Sequence, residues 1–392
     1  MGPELETFRA EVREFVAAYA PPIPHRAGVR SAENEAELKA LKDWTARLFE
    51  AGYIGADWPA EFGGRDDRSA EHAIVVGEEL ARAGVPGMPS GCALASHALI
   101  HYGTDEQRRT HLPEIRTGRQ LWCQLFSEPG AGSDLASLRT KAVLDGDAYI
   151  VDGQKVWTTD GHWADYGYLL ARTDSDAPKH KGISAFIVDM RSPGITVRPL
   201  RELTGTSDFN EVFFDSVEVP ADAMIGTPGQ GWAIANATLG HERTNVGAAV
   251  VKLRLAVEGL VDLASRVTIN GRPAIDSDRV RDRIGEFSAE VEALSALTYA
   301  NLTRWLRGTE RMHDGAMAKL IFSELNLEIA RFAVELGGEA GVLVEGDADV
   351  LDHGRWQDEW LYARAYTIAG GSSEIMRNLI AERGLGLPRE KR

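Results

Sequence analysis

Trp122-Cys123-Gln124-Leu125-Phe126-Ser127-Glu128-Pro129-Gly130-Ala131-Gly132-Ser133-Asp134 passes from an apolar, aromatic run into a glycine-rich turn. The run reads as a buried strand. Pro129 stops the ladder, and the glycines permit backbone angles closed to other residues. Such a loop can bring backbone N–H groups and the Ser127 and Ser133 hydroxyls up to a flat or anionic ligand. Taken alone, the same letters also fit an ordinary strand-to-loop turn.

Outward from this stretch, composition narrows the classes. The chain has 392 residues, room for two or three domains with a sizeable core. Its 44% apolar and 26% charged content is that of an ordinary globular protein. A formal net charge of -16 opposes nucleic-acid binding, which needs a surplus of Lys and Arg to neutralise phosphates. The two cysteines, Cys92 and Cys123, form no CxxC pair, and no His cluster has zinc spacing. Residues 1–14 lack a basic-then-apolar signal pattern and no stretch approaches a membrane span, so a soluble cytoplasmic protein is the expectation. Neither GxGxxG after a strand, nor GxxxxGK[ST], nor GxSxG occurs, so the sequence supports no Rossmann site, P-loop or serine-hydrolase elbow.

Periodicity divides the chain in three. Leu5, Phe8, Val12, Phe15 and Val16 predict a helix over 5–20, ended by Pro21-Pro22. Further helices are predicted around 38–48, 70–83, 92–101 and 105–116, the last capped by Thr104. A loop with Trp58-Pro59 and Gly63-Gly64 separates the second from the third. His97 and His101 stand four apart, but no third ligand follows, and a structural role is the reading. From 121 to 220 the period becomes that of strands, at 141–144 and 149–151 around the hairpin turn Asp145-Gly146-Asp147, then at 168–172, 183–188 and 211–214. This predicts a small antiparallel β domain, a barrel or sandwich. Beyond Gly231 amphipathic helical runs return at 232–263, 278–307 and 314–336. The fold class is α+β, with an N-terminal α-helical domain at 1–120, a middle β domain at 121–231 and a C-terminal domain at 232–392.

The opening stretch resembles, nearly letter for letter, the flavin-binding segment of the acyl-CoA dehydrogenase family, a strand followed by Thr/Ser-Glu-Pro-Gly-Ala-Gly-Ser-Asp. Other segments similar to the family's follow in order: Trp58-Pro59 with Gly63-Gly64; Val151-Asp152-Gly153-Gln154-Lys155-Val156-Trp157-Thr158-Thr159; the strands over 205–220 with their Val-Pro exit; Leu239-Gly240-His241-Glu242-Arg243; and Ile368-Ala369-Gly370-Gly371-Ser372-Ser373-Glu374-Ile375. The resemblance covers almost the whole chain. It implies a C-terminal four-helix bundle and FAD held between the β domain and that bundle. In this reading Gln124, Phe126, Ser127, Gly132, Ser133, Trp157 and Thr159 line the cofactor. Trp157 lies against the isoalloxazine ring and Thr159 near its N5 edge, because a flat cofactor wants one packed face and polar groups at its rim. Ser372 and Glu374 meet the nucleotide half, and Ser133, Arg243 and Gly370 serve the acyl-CoA substrate.

The catalytic base departs from one family pattern and fits another. Short- and medium-chain members carry it in a Glu-Gly-Thr near the C-terminus, where this chain has Gly370. Isovaleryl and long-chain members take it from an earlier Leu-x-x-Glu-Arg helix with a small residue at the later position, which makes Glu242 the candidate base. The implied reaction is α,β-dehydrogenation of an acyl-CoA thioester to a trans-2-enoyl-CoA in fatty acid metabolism, with electrons passed to an electron-transferring flavoprotein. The family's Arg-x-x-Phe-Gly has only 266–271 as a counterpart, leaving Arg266 as the candidate, and Val334 replaces its usual Gln. A homotetramer is the expectation, with a dimer or heteromer open on those two changes. The competing readings are a flavin monooxygenase or oxidase on the same fold, acting on a non-CoA substrate, and a non-catalytic partner subunit.

Overall fold

The computed structural model describes residues 2–23, 26–28, 30–242, 246–311 and 313–389, with their side chains except at 240–242 and 246. Two compact units are distinguished: one of Met1–Ile23, Ser31–Val76 and Pro86–Glu242, the other of Pro24–Arg30, Gly77–Val85 and Arg243–Arg392.

The first unit opens with helices. α1 (Pro3–Tyr19) buries Phe8, Val12 and Val16, the predicted stripe. α2 (Glu35–Glu50) is capped by Asn34, whose side chain accepts from Glu37 N, and buries Trp44 and Leu48. α3 (Ala70–Ala83), α4 (Ser90–Tyr102) and α5 (Asp105–Arg116) follow. Thr104 caps α5 as predicted, in a reciprocal box: Gln107 N donates to Thr104 Oγ1 (3.2 Å) and Thr104 N to Gln107 Oε1 (3.0 Å).

An eight-stranded sheet comes next: β1 (Trp122–Leu125), β2 (Lys141–Asp145), β3 (Ala148–Thr159), β4 (Tyr166–Arg172), β5 (Ile183–Asp189), β6 (Ile195–Leu200), β7 (Phe209–Pro220) and β8 (Met224–Ile225). Its order is β6-β7-β3-β2-β4-β5-β8, with β1 paired to β4. Most pairs are antiparallel, as predicted. β1 and β2, however, run parallel to β4, a relation between distant segments that the alternation of side chains does not encode. Alternate residues of β4 and β5 face two different cores. Tyr168, Leu170 and Ile187 pack with Leu99 and Leu112 of the helices, whereas Leu169, Phe186 and Val188 pack with Val151, Val212 and Phe214. Burial on both faces is why these strands read as unbroken apolar runs. β6 escaped the sequence reading because it is an edge strand carrying Pro199, which weakens a strand signal. α6 (Gly231–Glu242) completes this unit.

The second unit is built on α7 (Val246–Arg266), α8 (Asp278–Leu306), α9 (Asp314–Gly337) and α10 (Arg355–Ile368), with the short α11 (Ser373–Leu379) after them. Leu253, Leu260, Phe287, Leu294, Leu325, Ile329 and Trp356 share its core. α10 was not predicted because Glu359 interrupts its buried face. Its partner is Lys252 of α7, with Nζ 3.3 Å from Glu359 Oε2 and 3.2 Å from the Tyr366 hydroxyl. No helix among the described residues is long and apolar enough to cross a membrane.

Candidate active site

The quoted stretch folds as β1 followed by a tight turn. Glu128 and Ala131 exchange two backbone hydrogen bonds of 3.0 Å, so Pro129 and Gly130 stand out as the turn's tip. Gln124 is half-buried on β1, Phe126 is buried edge-to-face on Tyr168 (4.9 Å between centroids), and Ser127 is half-buried. Gly132 and Ser133 are exposed, and no described residue lies within 4 Å of the place a Cβ would take on Gly130 or Gly132.

Beside this turn, β3 carries a bulge. Between Lys155, opposite Val212, and Thr158, opposite Asn210, it holds one residue more than β7 does. At the bulge Trp157 adopts φ 62° and stands 61% exposed, while its neighbours Val156 and Thr158 are buried. A bulge re-aims a side chain, and here it turns an indole outward from a strand whose other residues are buried or half-buried. Val156 N donates to Ser127 O (2.9 Å), joining the bulge to the turn. Thr159 is half-buried opposite Phe209, whose ring meets Trp157 edge-on at 6.0 Å. Thr158 Oγ1 is buried without a hydrogen-bond partner among the described residues.

Two residues in these motifs were not among the sequence candidates, although they hold both segments together. Lys155, wholly buried, donates from Nζ to Phe126 O (2.9 Å) and to Glu128 Oε1 (2.8 Å). The same carboxylate accepts from Arg139 N (2.6 Å) and Thr140 N (2.8 Å). Burial draws the Lys155 ammonium down to about 8 although Glu128 pulls it the other way. Burial alone would raise Glu128, but the Lys155 ammonium and the Thr140 and Arg139 donors hold it below the usual carboxylate range. The only sequence signal was a charged residue inside each of the two motifs. That both point inward depends on the bulge and the turn.

Asp160, just past β3, is half-buried and accepts from the Ser31 hydroxyl (2.6 Å). Burial pushes its carboxyl up to about 6, with Ser31 opposing the shift and the Asp208 charge adding to it.

The remaining candidates lie in the second unit or outside the described residues. Gly370 (φ 65°) and Gly371 (φ 101°) follow α10; among the described residues a Cβ on Gly370 meets nothing within 4 Å, whereas one on Gly371 would run into Met376 Cε. Ser372 caps α11, accepting from Ile375 N (3.4 Å). Glu374 is exposed in its first turn, held below the usual carboxylate range by its own backbone N–H and the Ser372 hydroxyl. Arg266 ends α7 with its guanidinium on Asp262 (2.9 Å) and Asp352 (2.7 Å). Glu242 is the last residue of α6 and its side chain is outside the described residues, as is Arg243 altogether.

The outward-turned indole and the open glycine turn fit a flat aromatic cofactor with polar edges. With the helix–sheet–helix order they place the chain in the α+β class. The family models for the N-terminal, middle and C-terminal domains of acyl-CoA dehydrogenase match residues 2–119, 123–217 and 229–385. The acyl-CoA dehydrogenase IpdE1 of Mycobacterium tuberculosis is 39% identical, covering 99% of both chains. Among solved structures, the steroid ACAD Tcur3481-Tcur3483 has a TM-score of 0.89 at 30% identity over 100% of this chain and 99% of its own. The ChsE4-ChsE5 complex of Mycobacterium tuberculosis has a TM-score of 0.86 at 30% identity over the same shares. The chain belongs to the acyl-CoA dehydrogenase family, a family of FAD-dependent oxidoreductases.

Proposed function

We propose that the chain dehydrogenates a bulky, ring-bearing acyl-CoA to its trans-2-enoyl-CoA, with Glu242 as the base. FAD, when bound, supplies the two-electron oxidant that accepts the hydride from Cβ. Glu242 takes the Cα proton. Its ordinary pKa, about 4.3, makes it a weak base in water, so desolvation by the substrate has to raise it. The Gly370 N–H holds the thioester oxygen, on which charge develops as the proton leaves. Trp157 would pack against the flavin ring, and Gln124, Phe126, Ser127, Gly132, Ser133 and Thr159 would line the cofactor. Ser372 and Glu374 serve its nucleotide half, and Arg243 the substrate side. The functional division follows 1–120, 121–231 and 232–392.

The observation that carries this reading is Gly370. Among the described residues no side chain occupies the space a Cβ would enter there, so the position offers room rather than a carboxylate, as a base placed on an earlier helix requires. The steroid ACAD among the relatives supports a ring-bearing acyl group. The paired relatives, one of them described as a complex, support a heteromer in place of the homotetramer, with an electron-transferring flavoprotein as acceptor.

The test is an anaerobic absorbance titration of the flavin-loaded protein with straight, branched and ring-bearing acyl-CoAs. Bleaching of the flavin band by the ring-bearing class is the expected result. A bound flavin that no acyl-CoA bleaches overturns the reading in favour of an oxidase or monooxygenase.

A further inference from the structure

The turn 369–372 joins α10 to α11 through two glycines of positive φ, and glycine's freedom means that its own backbone prefers no single shape there. Ala369 N closes α10 on Ala365 O (2.8 Å) and Ser372 O receives Met376 N (2.9 Å), but no backbone–backbone hydrogen bond among the described residues involves Gly370 or Gly371. The polar tie comes from elsewhere. Lys319, on α9, donates from Nζ to Gly371 O at 2.6 Å. Its stem is half-buried, and burial lowers its ammonium against the raising charges of Glu324 and Glu374. A charge-assisted bond of this length is among the stronger kinds. It also places a cation just past the C-terminus of α10, where helix carbonyls accumulate negative charge.

We infer that Lys319 is a positioning residue: by fixing the Gly371 carbonyl it restrains the two-glycine turn and with it the Gly370 N–H, two peptide planes before that carbonyl. The inference rests on the reading above, in which that N–H receives the thioester oxygen. Lys319 touches neither substrate nor reacting atoms in this account. Replacing it loosens the donor without removing it, which lowers turnover more than binding.

The experiment compares K319M, K319R and K319Q holoenzymes with the unsubstituted protein. Amide hydrogen exchange across 369–372 is expected to rise at least tenfold in K319M and to stay within about threefold in K319R, whose guanidinium can still donate. With a bleaching acyl-CoA, K319M is expected to lose roughly 10- to 100-fold in kcat with KM within a fewfold, and K319R to recover most of it. If K319M does not fold, K319Q, a shorter uncharged donor, carries the comparison. Unchanged exchange in K319M, or an Arg variant no better than Met, overturns the inference. If no acyl-CoA bleaches the unsubstituted protein, the dehydrogenase reading fails by itself, and the exchange rates still decide whether Lys319 holds the turn.

Discussion

Replacing Lys155 with Met tests what holds the turn after β1 in place. The substitution conserves most of the volume of a wholly buried side chain and removes two bonds, to Phe126 O (2.9 Å) and Glu128 Oε1 (2.8 Å). Phe126 O is left without that donor, and an unsatisfied buried acceptor costs about 1–3 kcal/mol. Glu128 keeps its bonds from Arg139 N and Thr140 N but becomes a buried carboxylate without a cation, and breaking such a pair from one side costs about 3–5 kcal/mol in all. Against a typical stability of about 5–15 kcal/mol this is a large fraction. The assay is urea unfolding of flavin-free protein, because bound cofactor adds stability of its own by mass action. Glu128→Gln and the double variant complete a cycle. Each single change strands one buried partner and the double strands neither charge, so the double is expected to lose about 1–3 kcal/mol less than the sum of the singles. A Lys155→Met loss below about 1 kcal/mol, or strict additivity in the cycle, would refute the view that this pair clamps the turn.

Three further outcomes are expected. Glu242→Gln should retain bound flavin while the rate of flavin bleaching by acyl-CoA in stopped flow falls by roughly two to four orders of magnitude, since an amide accepts no proton; undiminished turnover moves the base elsewhere. Asp160→Asn should stabilise the protein in a pH-dependent way. With the folded carboxyl at about 6, above its ordinary 3.8, the unfolded chain deprotonates first, so this group's contribution falls as pH rises from about 4 to 6 and stays low above. The Asn variant still accepts from Ser31 and should gain up to about 3 kcal/mol at pH 8 and almost nothing at pH 4, and urea titrations showing a pH-independent difference would contradict this. Trp157→Gly removes a largely exposed ring and suits φ 62°, so thermal stability should hold or rise by about 1 kcal/mol. FAD affinity, read by quenching of flavin fluorescence on titration with apo-protein, should nevertheless drop at least tenfold; unchanged affinity would remove Trp157 from the cofactor site.

The sequence by itself determined the order of helical, sheet and helical regions, because period 3.6 and period 2 are local properties written in each segment. Thr104 capping α5 and the hairpin joining β2 to β3 were legible for the same reason. The turn 127–133 and Trp157 were legible as a pair only through the joint wording of two motifs. Their physical relation came from the bulge in β3, where one extra residue against β7 turns the indole out and the lysine two positions earlier in. Only the tertiary structure decided the parallel pairings of β1 and β2 with β4, the edge placement of β6, and the buried polar face of α10. The Glu128–Lys155 pair and the Lys319 bond to Gly371 belong with them. Each joins residues whose meeting costs chain entropy and desolvation that no local pattern records, and a charge in a one-dimensional string reads as surface until its partner is brought to it.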